Sequence, residues 1–358
     1  MKKAIFHFPT DGKPVDCKQI KTGHINETYV VTTDTGAQYT LQCINSYVFP
    51  NVDAIMSNVS KISEYLRKNE NGQMAMIRYI NTLDGQNYYS DGVGGCWRMY
   101  RFVDNSLCLH RPETPEDFYE CAMAFGRFQY ALNGFPAEEL EETIVGFHDT
   151  PNRYRQFREA VEADPVGRAA EAGPELAFAL RREERACRLH RMRESGELPV
   201  RVTHNDTKIN NVLLDEDTRK AICVIDLDTV MPGLAVFDFG DAIRFGASTA
   251  DEDETDLSKV SLDMELFRVF VRGFFEACPS LTAEEIEAMP MGAYTMTLEC
   301  GLRFLTDYIN GDKYFSIDRE KQNLDRCRTQ FKLIESMEAN WKAMEQIVRE
   351  ETAGKQIP

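Results

Sequence analysis

Val200-Arg201-Val202-Thr203-His204-Asn205-Asp206-Thr207-Lys208-Ile209-Asn210-Asn211-Val212-Leu213-Leu214-Asp215 is the stretch on which the reading of this chain turns. A short apolar run enters a tight polar loop of the form H-x-D-x-K-x-x-N and leaves through a second apolar run. Such β-prone runs on either side of polar residues predict two strands that hold the loop between them. The spacing lets Asp206 and Asn211 converge on one centre from a tight loop. Asp206 then faces a nucleophile that it can deprotonate, and Lys208 lies between the two to neutralise negative charge.

Downstream, the strand-like run Ala221-Ile222-Cys223-Val224-Ile225 delivers Asp226, 15 residues after Asn211 (226 − 211), followed by Leu227-Asp228. An acidic pair at the end of a buried strand is costly unless a cation or hydrogen bonds compensate it. Mg2+ held by Asn211 and Asp226 across phosphate oxygens supplies that compensation. The plainer alternative is two carboxylates capping a turn, but the loop upstream favours the metal. Asp238-Phe239-Gly240 lies 27 residues past Asn211 (238 − 211), beyond the turn Met231-Pro232-Gly233. Asp226 is therefore the better-placed metal aspartate, and Asp238 is expected to be a structural carboxylate bracing the loop.

The rest of the chain sets the frame. Its 358 residues suit two domains or one two-lobed enzyme, and 43% hydrophobic with 28% charged residues is a globular composition. Acids outnumber bases 58 to 41, a net charge of −17, which argues against nucleic acid and anionic membrane surfaces as partners. Ten cysteines are scattered with no C-x-x-C pair, several inside apolar runs, so free thiols in a reducing compartment are expected. No signal-peptide or membrane-spanning pattern is present, and a cytoplasmic location is expected.

The first hundred residues read as a strand-rich unit with one helix. Runs 28–33 and 37–42 flank Asp34-Thr35-Gly36 as a hairpin, a second hairpin turns around 91–95, and Val52 to Leu66 recur at helical spacing behind Asn51 as N-cap. From about residue 105 the pattern turns helical. Thr114-Pro115-Glu116-Asp117 is a strong helix start, and further helices are predicted over 174–194, 262–275, 290–310 and 320–350. The expected fold is α+β and bilobal, with a small β-rich lobe over 1–104 and a larger, mostly helical lobe over 105–358.

His204 to Asn211, Ile225 to Asp228 and Phe237-Asp238-Phe239-Gly240-Asp241 resemble the aminoglycoside phosphotransferase and choline kinase-like family, which shares the bilobal protein-kinase fold. A closer likeness is to its N-acetylhexosamine 1-kinase branch. It rests on Gly23-His24-Ile25-Asn26, Tyr39-Thr40-Leu41-Gln42, Phe147-His148-Asp149-Thr150-Pro151, Arg201 to Asn211, Phe237 to Ser248 and Cys300-Gly301-Leu302-Arg303-Phe304-Leu305. The resemblance implies transfer of phosphate from ATP, with Mg2+, to the C1 hydroxyl of an N-acetylhexosamine. Asp206 and Lys208 would carry catalysis, and Asn211 and Asp226 would bind metal. Gly23, His24, Asn26, Gln42, Tyr100 and Phe102 would line the nucleotide site, with adenine on the backbone of a hinge at 100–103. Asp206, Arg303 and Tyr314 would contact the sugar. Glu299, four residues before Arg303, offers a simple helical ion pair as another account of that arginine.

Three departures stand out. Gly23-His24-Ile25-Asn26 is a reduced glycine loop, Gln42 occupies the place of the phosphate-clamping lysine of the third strand, and no helix glutamate is assignable, Asn58 and Glu64 both being candidates. Rival readings are a kinase of the same fold for an amino alcohol, homoserine or an antibiotic, and a nucleotide-binding pseudokinase without activity.

Overall fold

Gly36, at φ +85°, turns the chain between β2 (Glu27–Thr33) and β3 (Gln38–Ile44), which pair antiparallel from Thr32↔Gln38 to Glu27↔Cys43. The computed structural model describes residues 2–20, 25–68 and 75–353, without the side chains of 75 and 76. In it this hairpin is the middle of an antiparallel sheet ordered β1 (Pro14–Ile20), β2, β3, β7 (Cys96–Arg101) and β5 (Tyr79–Ile80), with β6 (Tyr89–Ser90) also on β7. Helix α1 (Val52–Lys68) buries Val52, Ile55, Met56, Val59 and Ile62, and Asn51 caps it by accepting from the Ala54 N–H at 3.0 Å.

A second sheet flanks the loop 204–211. Its order is β4 (Ala75–Met76), β11 (Ala221–Val224), β10 (Val212–Asp215) and β8 (Ser106–Cys108), and β9 (Arg201–Thr203) pairs separately with β12 (Met231–Gly233). The β4 strand comes from the first hundred residues yet runs parallel to β11, Cys223↔Ala75 and Val224↔Met76.

The remainder is helical: α2 (Pro115–Ala131), α3 (Thr150–Ala163), α4 (Gly173–Leu180), α5 (Glu183–Ala186), α6 (Arg188–Glu194), α7 (Ala235–Gly246), α8 (Met264–Ala277), α9 (Ala283–Glu287), α10 (Met289–Ile309), α11 (Gln322–Ala339) and α12 (Trp341–Thr352). Thr114 starts α2 as expected, and Asp117 closes a capping box with it. Helices α7 and α10 cross where Gly240 meets Gly292, and a Cβ on Gly240 would lie 2.3 Å from the Gly292 carbonyl oxygen. Phe239 beside it is buried among Phe267, Phe270 and Phe274. The D-F-G triplet is thus part of a helix crossing. No helix among the described residues is long and apolar enough to cross a membrane.

The α+β fold, β-rich first and helical later, stands as the sequence predicts, with three local corrections. The predicted helix 174–194 is broken into α4, α5 and α6, where Arg182 leaves the helical run to pair with Glu338 of α11. The predicted helix 320–350 breaks at Asn340, whose amide donates back to the Ser336 carbonyl, ending α11 and letting Trp341 pack edge-on against Tyr294. Helices α3 and α7 were not predicted at all.

Candidate active site

Strand β9 ends at Thr203, and the chain turns sharply through Asn205, at φ +63°. That left-handed conformation is uncommon for a side-chain-bearing residue. Here it is held by the Asn205 amide, which donates to the Thr229 carbonyl at 2.9 Å and accepts from the Thr203 hydroxyl at 3.0 Å. His204 is fully buried against Phe125 and Phe128. Its Nδ1 accepts from the Asp206 N–H at 3.3 Å, which leaves Nε2–H to donate to the Ile225 carbonyl at 2.9 Å. One imidazole thereby ties the loop to the strand end that carries Asp226.

The first turn of α7 braces the loop from beneath. Asp238 accepts from the N–H of His204 at 2.9 Å, the N–H of Asn205 at 2.7 Å and the Gln129 amide at 2.5 Å. Asp241 accepts from the Thr207 N–H at 3.0 Å and is itself held by Arg244.

Above this brace, the Asn211 amide donates to the Asp206 carboxylate at 2.9 Å and to its carbonyl at 2.8 Å, and Lys208 Nζ lies 2.9 Å from Asp206 Oδ1. Burial pushes the Asp206 carboxyl up, but Lys208 and the Asn211 amide outweigh it and hold its pKa below the ordinary value. The Ile225 N–H donates to the Asn211 carbonyl at 2.9 Å, so the two candidate metal residues are joined through backbone. Asp226, at φ +59°, makes no side-chain hydrogen bond or ion pair among the described residues. Burial, and then the Asp228 and Asp206 carboxylates, push its pKa up to about 7. A carboxylate crowded by its own kind and without a donor is suited to a cation. Among the described residues no group of three or more His, Cys, Asp or Glu is arranged to hold a metal. Mg2+ commonly takes one or two carboxylates and completes its shell with phosphate and water.

Asp228 is differently placed. Its carboxylate is paired with Arg98 of β7 and accepts from the Asn26 amide at 2.7 Å. Arg98 is fully buried, donates from Nε to Gln42 Oε1 at 3.1 Å, its cross-strand neighbour, and stacks over the Tyr79 ring at 4.8 Å. Sequence reasoning missed Arg98, although one signal was there: an arginine inside Cys96-Trp97-Arg98-Met99-Tyr100, with no acid beside it, must find its counter-charge elsewhere in the fold. Neither candidate for the helix glutamate meets it. Asn58 is buried and spends its amide on the carbonyls of Glu141 and Val230, while Glu64 pairs with Lys68 on the surface.

Of the other nucleotide-site candidates, Gly23 and His24 lie outside the described residues. Tyr100 is buried on β7 with its ring edge-on to Tyr79. The Phe102 N–H already donates to the Gln38 carbonyl at 3.1 Å. Arg303 and Tyr314 face a separate cavity of about 210 Å³, which Arg153, Gln156 and Phe315 also line and to which the loop 204–211 contributes nothing. Arg303 lies within 5.7 Å of the ring centres of Phe147, Tyr314 and Phe315. The Glu299 carboxylate is taken by His148 and Thr150, so the simple Glu299–Arg303 pair does not form.

Residues 16–260 match the model of the phosphotransferase enzyme family. The fold is similar to that of an aminoglycoside phosphotransferase from Alicyclobacillus acidocaldarius, with 14% identity over 97% of this chain and 96% of the other and a TM-score of 0.64. A microcompartment-associated aminopropanol kinase is 19% identical, over 96% and 97% of the two chains, with a TM-score of 0.62. An amicoumacin kinase, solved in complex with AMP-PNP and Ca2+, is 13% identical over 96% and 92%, with a TM-score of 0.57.

Proposed function

Because the chain belongs to the phosphotransferase enzyme family, we propose that it uses ATP and Mg2+ to phosphorylate the C1 hydroxyl of an N-acetylhexosamine, giving a sugar 1-phosphate. The observation that carries the phosphotransfer reading is the contrast between Asp206, kept ionised beside Lys208, and Asp226, left without a donor. In this reading Asp206 orients the acceptor hydroxyl and takes its proton, Lys208 steadies charge on the moving phosphoryl group, and residues 1–104 supply the nucleotide lobe. Asp226 and the Asn211 amide oxygen offer hard donors to Mg2+, which when bound neutralises charge on the phosphate oxygens.

The sugar rests on the resemblance, because the Arg303 cavity is separate from the loop that carries Asp206. An anomeric hydroxyl is also more acidic than an ordinary alcohol and asks less of a single carboxylate base. The net charge of −17 and the likeness to an aminopropanol kinase favour a second reading, a cationic amino-alcohol acceptor.

A panel of N-acetylhexosamines, hexoses, choline, aminopropanol, homoserine and kanamycin with ATP and Mg2+ separates the two. The expected result is turnover of N-acetylglucosamine and N-acetylgalactosamine with loss of the reducing end. Turnover of the amines alone sinks the sugar, a C6 phosphate removes the anomeric chemistry, and silence across the panel returns the pseudokinase.

A further inference from the structure

The protein lacks a lysine on β3, yet a polyphosphate approaching Asp206, Asp226 and Asp228 needs a fixed positive charge. Lys208 lies against Asp206, where the transferred phosphoryl group would sit, and leaves the other phosphates without a cation. Among the described residues Arg98 is a second cation beside these carboxylates, and its donors are unequally used: Nη1 goes to Asp228, Nε goes to Gln42, and Nη2 is buried with no partner. The hydroxyl of Tyr79, whose ring lies under the guanidinium, is buried and unpartnered as well. Buried donors are almost always satisfied, so two orphans on one stacked pair point to a missing acceptor. The planar fork of an arginine suits phosphate oxygens.

We propose that Arg98 is the nucleotide-phosphate clamp of this protein, transposed from β3 to the neighbouring strand β7. Gln42, standing where the lysine is missing, accepts from Nε and fixes the guanidinium plane. Asp228 takes the second nitrogen, and Nη2, with the Tyr79 hydroxyl, remains for an α- or β-phosphate oxygen. The helix carboxylate that would serve a β3 lysine is absent for the same reason, since Asp228 has its task. The pair of opposite charges has moved as a unit. This inference rests on the phosphotransferase reading and names a residue of that same site.

The test is equilibrium binding of a fluorescent ATP analogue, with and without Mg2+, to the full chain, alongside thermal melting and the KM for ATP. Arg98→Lys keeps a charge on Asp228 but has one nitrogen instead of a fork. It should fold and bind nucleotide about tenfold to a hundredfold more weakly, with KM moving more than kcat. Arg98→Met should bind more weakly still. Gln42→Lys on the Arg98→Met background returns a cation from β3 and should recover most of the lost affinity. Wild-type affinity in a folded Arg98→Lys protein overturns the proposal, as does a folded double variant with no recovery. Should Arg98→Met fail to fold, Arg98→Lys decides alone. Wild-type protein that binds no nucleotide sinks the phosphotransferase reading itself, a different result from equal binding by wild type and Arg98→Lys.

Discussion

Asp226 follows strand β11 and Asp238 lies in the first turn of α7; both stand beside the same loop, but their surroundings are opposite. Asp238 receives three donors, two of them backbone N–H groups of the loop it supports. Asp226 receives none among the described residues and sits against two other carboxylates. A saturated carboxylate is finished as structure, whereas an unsaturated one in a crowd of like charge is destabilising until something binds it. The difference separates the bracing carboxylate from the candidate metal ligand more cleanly than the letters D-F-G, which fall on the brace.

The largest effect should come from the side of Asp206 and Asp226. Asp206→Asn should cut kcat by roughly 10²–10⁴ with little change in ATP binding or melting temperature. Near-normal turnover in steady-state assays would erase that half of the contrast. Asp226→Ala should weaken Mg2+-dependent nucleotide binding by about a hundredfold while leaving Mg2+-independent binding nearly intact, as titration of Mg2+ against both proteins will show.

On the brace side, Asp238→Asn should cost about 3 kcal/mol in urea unfolding, because two buried loop N–H groups lose a charged acceptor. If that variant instead lost Mg2+ response at full stability, the two aspartates would have exchanged roles. Gly240→Ala should cost about 1–3 kcal/mol by prising α7 from α10, with a smaller effect on catalysis.

The smallest effect concerns pH. Asp226 has a folded pKa raised to about 7 above an ordinary value of 3.8, so the folded state holds its proton longer than the unfolded chain. Stability of the metal-free protein from this group is therefore present below pH 4 and lost as pH rises toward and through 7. Asp226→Asn should melt a few degrees higher than wild type at pH 8 and equally at pH 4. A reversed pH trend in differential scanning fluorimetry would mean that Asp226 has a donor after all.

The parts legible in sequence were those whose cause is local. The loop from His204 to Asn211 and the strand end at Asp226 announce themselves because each function needs a fixed spacing within a few residues. The hairpin at Gly36 and the box at Thr114 and Asp117 follow the same rule. What stayed hidden depends on residues far apart. Arg98 meets Asp228 across 130 positions and Asn58 meets Val230 across 172, and neither partner carries a mark of the other. The break at Asn340 was missed because helical periodicity continues through it while the turn is made by one amide. Helix α7 was obscured by its glycines, which lower helix propensity although Gly240 serves the approach of α10.

The parallel pairing of β4 with β11 bears on how the molecule is made. Residues 75–76 leave the ribosome some 150 residues before the partner at Cys223–Val224 exists, so this edge of the second sheet is completed only after more than half the chain has been made. The first sheet, whose strands all lie before residue 102, has no such delay. Synthesis therefore yields an early sheet with a strand still unclaimed, and the strand that positions Asp226 is also the one that closes the gap. A chain halted before residue 221 would carry the loop with Asp206 yet lack the edge that turns two successive pieces into one enzyme.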